Sequence, residues 1–124
     1  MQKKQNSKQY DLEDRTLEFA IKVRKFVKKL HISTSNIEDS KQLIRSSGSV
    51  GANYIEANES LGKKDFLMRI KISRKEAKES KYWLNLLDLD KNENLEKERI
   101  TLIQEAMELT NIFGAILRKS ENKS

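Results

Sequence analysis

"RSSGSVGANYIEA", Arg45 to Ala57, puts Ser or Gly at five of its first seven positions. The sequence on either side is long, charged and apolar at helical intervals. The stretch can be a phosphate cradle, a loop, or a helix that tolerates poor helix formers. A cradle of the P-loop type needs Gly, four residues, then Gly-Lys-Ser/Thr after a strand. Gly48 and Gly51 are too close, no Lys follows, and no strand precedes. A loop is favoured by the cost of Gly in a helix, about 1 kcal/mol each. Yet Ile44, Ser47, Gly51, Tyr54 and Asn58 keep steps of three and four through the stretch, a register that a loop has no reason to preserve. We read one continuous helix with a small-residue face of Ser47, Gly48, Gly51 and Ala52. Such a face lets a neighbouring helix approach closely, which offsets the propensity cost. A ligand groove and a true helix break are the alternatives.

Outward from this helix the same periodicity recurs. Leu12, Thr16, Phe19, Val23, Val27 and Leu30 mark a helix over about residues 11–30, with Asp11 as its N-cap. "HISTSN" reads as a loop ending in a cap. Ile37, Leu43, Ile44, Val50, Tyr54 and Ile55 carry the second helix, about 37–60. Phe66, Ile70, Ser73, Ala77, Ser80, Leu84 and Leu87 form a heptad-like seam over about 64–89. After the turn "DLDKNEN", Leu95, Arg99, Leu102, Ala106, Leu109, Phe113 and Ile116 repeat the spacing over about 95–119, with Arg99 the sole polar member. Four helices of about 38 Å joined by short loops give an all-α, antiparallel up-down four-helix bundle. Residues 1–10 and 120–124 are expected to be disordered tails.

Composition bounds the chemistry. With 124 residues the chain makes one domain. It has no Pro to break a helix and no Cys, which removes disulfides, thiolate chemistry and Cys-based zinc sites. A reducing, cytoplasmic setting fits. "MQKKQNSKQY" has no apolar run behind its lysines and does not read as a secretory signal. No stretch reads as the roughly 20 apolar residues of a membrane span. Of the net charge of +6, residues 1–10 carry +3 and residues 63–90 another +3.

Beside the small face runs a polar line, Arg45, Ser49, Asn53 and Glu56, spaced four, four and three. The third helix offers Glu76, Glu79 and Tyr82 to it. An Arg45–Glu79 pair with Asn53 between them is expected, either as a register-fixing polar network or as a binding or catalytic set. Ile72, Trp83 and Leu86 lie off the third helix's seam, as Phe26 does on the first. They are candidates for extra core or for an interface between copies.

"LIRSSGSVGANYIEA" followed by "KKDFLMRIKISRKEAKESKYWLNLL" resembles the small bacterial four-helix bundle proteins encoded in intervening sequences of large-subunit ribosomal RNA genes. These have at times been labelled ribosomal proteins, and the family includes the accessory protein of diversity-generating retroelements. The residues that carry the resemblance are Arg45-Ser46, Ser49-Val50-Gly51-Ala52-Asn53, Glu56-Ala57, Asp65-Phe66, Ala77, Glu79 and Tyr82-Trp83-Leu84. The resemblance implies an up-down bundle assembling into a ring, typically a homopentamer. For the retroelement branch it implies a nucleic-acid-binding basic surface and a reverse transcriptase partner.

Two functions compete. The third helix carries Lys71, Arg74, Lys75 and Lys78 on one side, a candidate site for RNA or DNA phosphates with little sequence preference. The opposing reading is a solvated face neutralised by Glu76 and Glu79. In that case the protein is an interaction scaffold with no nucleic-acid role. An enzyme is disfavoured. The one histidine, His31, sits at a loop, no Glu-x-x-His pair exists for a di-iron site, and no nucleophile has an evident base. No cofactor or metal is expected.

Overall fold

A computed structural model describes residues 8–122, with four helices in the order α1 (Lys8–Val27), α2 (Thr34–Asn58), α3 (Lys63–Leu86) and α4 (Glu93–Glu121). Each helix packs against the next and α4 returns to α1, so the bundle is a closed up-down square. α2 is unbroken through the serine-glycine stretch.

The ends differ from the sequence expectations in instructive ways. α1 begins at Lys8, so Asp11 lies inside the helix and is not its cap, and residues 8–10 are helix rather than tail. Residues 1–7 and 123–124 of the expected tails lie outside the described residues. Ser120 and Glu121 belong to α4. α1 stops at Val27, after which Lys29 N–H and Leu30 N–H donate back to Phe26 and Val27 in a tightened turn. Ser33 caps α2, its hydroxyl accepting from Asn36 N–H at 3.1 Å. Asn36 is thereby freed for another task. Its buried amide donates to the carbonyls of His31 (3.1 Å) and Asp88 (2.9 Å), and its oxygen accepts from Asp88 N–H (2.9 Å). The start of α2 is thus fastened to the α3–α4 loop. In that loop Asp90 and Lys91 take left-handed φ of 53° and 59° before Asn92 caps α4.

The core largely follows the seams of α1, α3 and α4, whereas on α2 Ile37 and Ile55, expected on the apolar face, are exposed and Ser46 and Ser47 are buried. Phe19, Val23, Phe26, Leu43, Val50, Ile70, Leu84, Leu109 and Phe113 are essentially inaccessible. Phe26 is therefore core. Tyr54 packs against Phe113 with ring centroids 5.7 Å apart, and burial pushes its phenol up from the ordinary range. α1 and α4 are laced by Arg15, which chelates Glu105 (2.7 Å) and reaches Glu108 (2.6 Å), and the turn after α1 adds Lys29 on Glu98 (2.8 Å).

α4 departs from the membrane expectation, since by length and composition alone it is apolar enough to cross a bilayer. Its Leu102, Ala106, Leu109, Phe113 and Leu117 are instead buried in the bundle. Glu105 and Glu108, midway along it, hold Arg15. Two such carboxylates at a bilayer centre would cost roughly 3 kcal/mol each.

The small residues of α2 divide between two neighbours. Toward α1, a Cβ on Gly51 would sit 2.7 Å from Thr16 Oγ1 and 3.1 Å from Thr16 Cβ. Thr16 is buried and β-branched, so it has little room to turn. A Cβ on Gly48 would meet only the end of the Arg24 side chain at 3.3 Å. Toward α3, the buried hydroxyls of Ser46 and Ser80 lie 2.9 Å apart and Ser73 donates to the Val50 carbonyl at 2.9 Å. Ala52, expected in the small face, is exposed.

Gly51→Ala is therefore expected to lose about 1–2 kcal/mol, overpacking against Thr16 outweighing the helix-propensity gain. Gly48→Ala, with only a movable guanidinium in its way, is expected to be neutral or stabilising. Urea denaturation of the two variants checks the contrast. A second prediction concerns Arg99, the polar residue in the α4 seam. Its guanidinium donates to the carbonyls of Leu87 (2.7 Å) and Leu84 (3.3 Å) at the end of α3 and to Glu96 (2.7 Å). It closes α3 as a C-terminal cap. Arg99→Ala is expected to cost about 1.5–3 kcal/mol in the same assay, because it removes charged hydrogen bonds to part-buried carbonyls.

Candidate functional site

α3 carries eight Lys and Arg against Asp65, Glu76 and Glu79. Its core face, Ile70, Ser73, Ala77, Ser80 and Leu84, is buried, so the remaining positions divide into an α2 flank, an outward ridge and an α4 flank. Lys71, Lys75 and Lys78, three or four residues apart, occupy the ridge and are exposed. Arg74 is half-buried on the α4 flank.

The two glutamates expected to neutralise these bases do something else. Both turn to α2, where Arg45 meets Glu76 (Nη1 to Oε2, 3.4 Å) and Glu79 (Nη2 to Oε1, 3.2 Å). Glu76 is buried, and its Oε1 lies 3.3 Å from Arg45 without hydrogen-bond geometry. On the ridge, Lys71 reaches Glu121 of α4 loosely at 3.9 Å. Lys75 and Lys78 have no carboxylate within ion-pair distance among the described residues.

The expected polar line separates into two clusters. Arg45 pairs with Glu79 as anticipated, and with Glu76 as well. Asn53 does not sit between them. Its amide donates to the Ser49 carbonyl and hydroxyl, both at 2.9 Å, and its oxygen accepts from Arg69 at 3.0 Å. Arg69 is a partner that sequence reasoning missed. The available signal was its position seven residues before Glu76, two turns back on the same flank. Glu56 is exposed and joins neither cluster. Tyr82 also lies outside, being 59% exposed and edge-on to Trp83 with centroids 5.1 Å apart.

Of the interface candidates, Ile72 and Trp83 are half-buried and Leu86 is exposed. Trp83 packs partly on the core, and its indole N–H is buried without an acceptor. With Tyr82 they make an apolar strip beside Arg45 and Glu79. A second exposed apolar group, Leu17, Ile21 and Ile55, rims a shallow α1–α2 groove. Among the described residues no three His, Asp or Glu cluster as a metal site. His31 is an exposed loop residue 3.4 Å from Asp88. Asp88 is held below the usual carboxylate range by Asp90 N–H and by His31. The arrangement is thus a convex row of cations beside an apolar strip, suited to holding a polyanion or a partner surface.

Because Glu76 is buried, Arg45→Met is expected to cost about 1–2 kcal/mol, less than a fully buried pair because Arg45 itself is half exposed. The Arg45→Met, Glu76→Gln double variant is expected to lose less than the sum of the singles. A double-mutant cycle from urea denaturation reads the coupling.

The profile of the 23S rRNA-intervening sequence protein family matches residues 8–115. The crystal structure of a protein of unknown function from the S23 ribosomal protein family of Bacteroides thetaiotaomicron aligns with a TM-score of 0.76 and 30% identity. The alignment covers 90% of this chain and 99% of that one. No curated protein matches. With its fold, its serine-glycine helix and this match over most of its length, the chain belongs to the 23S rRNA-intervening sequence protein family.

Proposed function

We propose that the protein is a non-catalytic, cytoplasmic, oligomeric bundle that binds RNA or DNA phosphates through the α3 ridge with little sequence preference. One observation carries this reading. Glu76 and Glu79, the α3 acids able to neutralise the ridge, are engaged by Arg45 on the α2 flank, and on the ridge only Lys71 has a carboxylate, Glu121, within reach among the described residues. A basic face whose own acids are turned away keeps its field, and repetition of the face around an oligomer would strengthen it. Tyr82, Trp83, Leu86 and Ile72 are the proposed contacts between copies, and a homopentamer is the assembly that the likeness to ring-forming bundles suggests. A reverse transcriptase is the protein partner that the likeness to retroelement accessory proteins suggests.

The competing reading, a protein scaffold without nucleic acid, is favoured by the same exposed strip of Tyr82 and Leu86. Fluorescence anisotropy with a labelled structured RNA and a labelled DNA duplex separates the two. Wild type is expected to bind both, with log K falling by about 0.9 per phosphate neutralised for each decade of salt on duplex DNA. The Lys71, Arg74, Lys75 and Lys78 to Glu variant is expected to lose binding while remaining helical and of unchanged oligomeric size. No binding by correctly assembled wild type at low salt would leave the scaffold reading.

A further inference from the structure

The arginines of this protein fall into two groups. Arg15, Arg45, Arg69 and Arg99 each meet a side-chain acceptor, and Arg24 reaches the carbonyls of Ala20 (3.1 Å) and Ile44 (3.5 Å). Arg74 and Arg118 meet none among the described residues. They also meet each other's neighbourhood. Both guanidinium groups converge on Gly114 of α4, where a Cβ would lie 3.3 Å from Arg74 Nε and 3.4 Å from Arg118 Nη1. Gly114 is buried, and a Cβ there would press on both guanidinium groups by a few tenths of an ångström.

Such a pair is unfavourable by itself. Two like charges approach, and Arg74 Nε is shut from solvent with no acceptor. Glu121, three residues beyond Arg118 on α4, is turned to Lys71. Arg74 Nε and Arg118 Nη1 lie against the same glycine, so the two guanidinium groups share one patch of α4. Two guanidinium forks presented together suit a tetrahedral oxyanion, which each fork can hold bidentately. A lysine pair would supply the charge without the fork.

We propose that Arg74 and Arg118, seated on Gly114, form a phosphate clamp in the α3–α4 groove. The clamp deepens the nucleic-acid reading above and rests on it for the source of the phosphate, a backbone phosphodiester adjoining the Lys75 and Lys78 ridge. Free phosphate is the other source of the same chemistry.

The test compares Arg74→Lys, Arg74→Gln, Arg118→Gln and Lys75→Gln with wild type, using the same labelled RNA. Inorganic phosphate is titrated separately and followed by 31P line width. Arg74→Lys is expected to weaken RNA binding about tenfold, nearly as much as Arg74→Gln, because charge without the fork does not replace a charged bidentate contact. Lys75→Gln is expected to lower the salt slope and to weaken binding less than Arg74→Gln does. Gly114→Ala, which gains helix propensity while pressing both guanidinium groups outward by a few tenths of an ångström, is expected to weaken RNA binding less than Arg74→Gln does, with no loss of thermal stability. If Arg74→Lys, Arg118→Gln and Gly114→Ala all bind RNA as wild type does, while reversal of Lys75 and Lys78 abolishes binding, the clamp is overturned and the nucleic-acid reading stands. If wild type binds no RNA but broadens the phosphate signal, and Arg74→Gln and Arg118→Gln do not, the clamp stands with free phosphate as its ligand. Loss of both RNA and phosphate binding in wild type overturns the clamp together with the nucleic-acid reading.

Discussion

Helix α2 has to approach two neighbours at once, and the close contact of Gly51 with Thr16 on α1 sets how it does so. A methyl group at that position has no room. On the other side, Ser46 meets Ser80 and Ser73 meets the Val50 carbonyl, hydroxyl to hydroxyl and hydroxyl to backbone. Small residues lower the intrinsic stability of α2 but bring three helices near enough for the phenylalanine and leucine layers to close. The serine hydroxyls buried by that approach each find a partner, in another serine, the Val50 carbonyl or their own helix backbone, which limits the desolvation cost of the close fit.

The same geometry governs the charges. Once α2 lies against α3, Arg45 stands within reach of Glu76 and Glu79, and an isolated helix would have left those acids to its own lysines. The bundle therefore separates charge that the sequence places side by side. One flank of α3 becomes an internal ion pair and the other remains cationic. On α4, Gly114 has a related effect, since it admits Arg74 to the groove surface without supplying an acceptor for it.

The sequence made the four helices, their order and most of the core legible, because steps of three and four survive in every element, including the serine-glycine stretch. What it hid were events that depend on a second helix. Phe26 is surplus to a single apolar stripe, whereas the bundle buries a wider arc. Asn36 looked like a cap because Asn is a good one, but Ser33 is three residues upstream and leaves its amide for Asp88. Helical spacing alone puts Asn53 with Arg45. Arg69 reaches it from α3, and spacing along one helix says nothing about the register of another. The pairing of the α3 glutamates was ambiguous for the same reason: lysines three or four residues away and an arginine across the interface are equally compatible with the letters.

The bond from Asn36 to Asp88 also makes the two ends of the bundle unlike. At one end the α1–α2 and α3–α4 connections are tied by an amide bridge and by His31 beside Asp88. At the other, α2 passes to α3 through a turn whose Leu61 is fully exposed and whose Gly62 has nothing within 4 Å of an added Cβ. Local opening starts where backbone amides have the fewest buried partners. Amide exchange would then run as a gradient along the long axis, slow at the tied end and fast at the open one. For anyone fusing a reporter or inserting a peptide into this scaffold, the turn at Leu61 and Gly62 is the permissive end, and the Asn36 end is the hinge to leave intact.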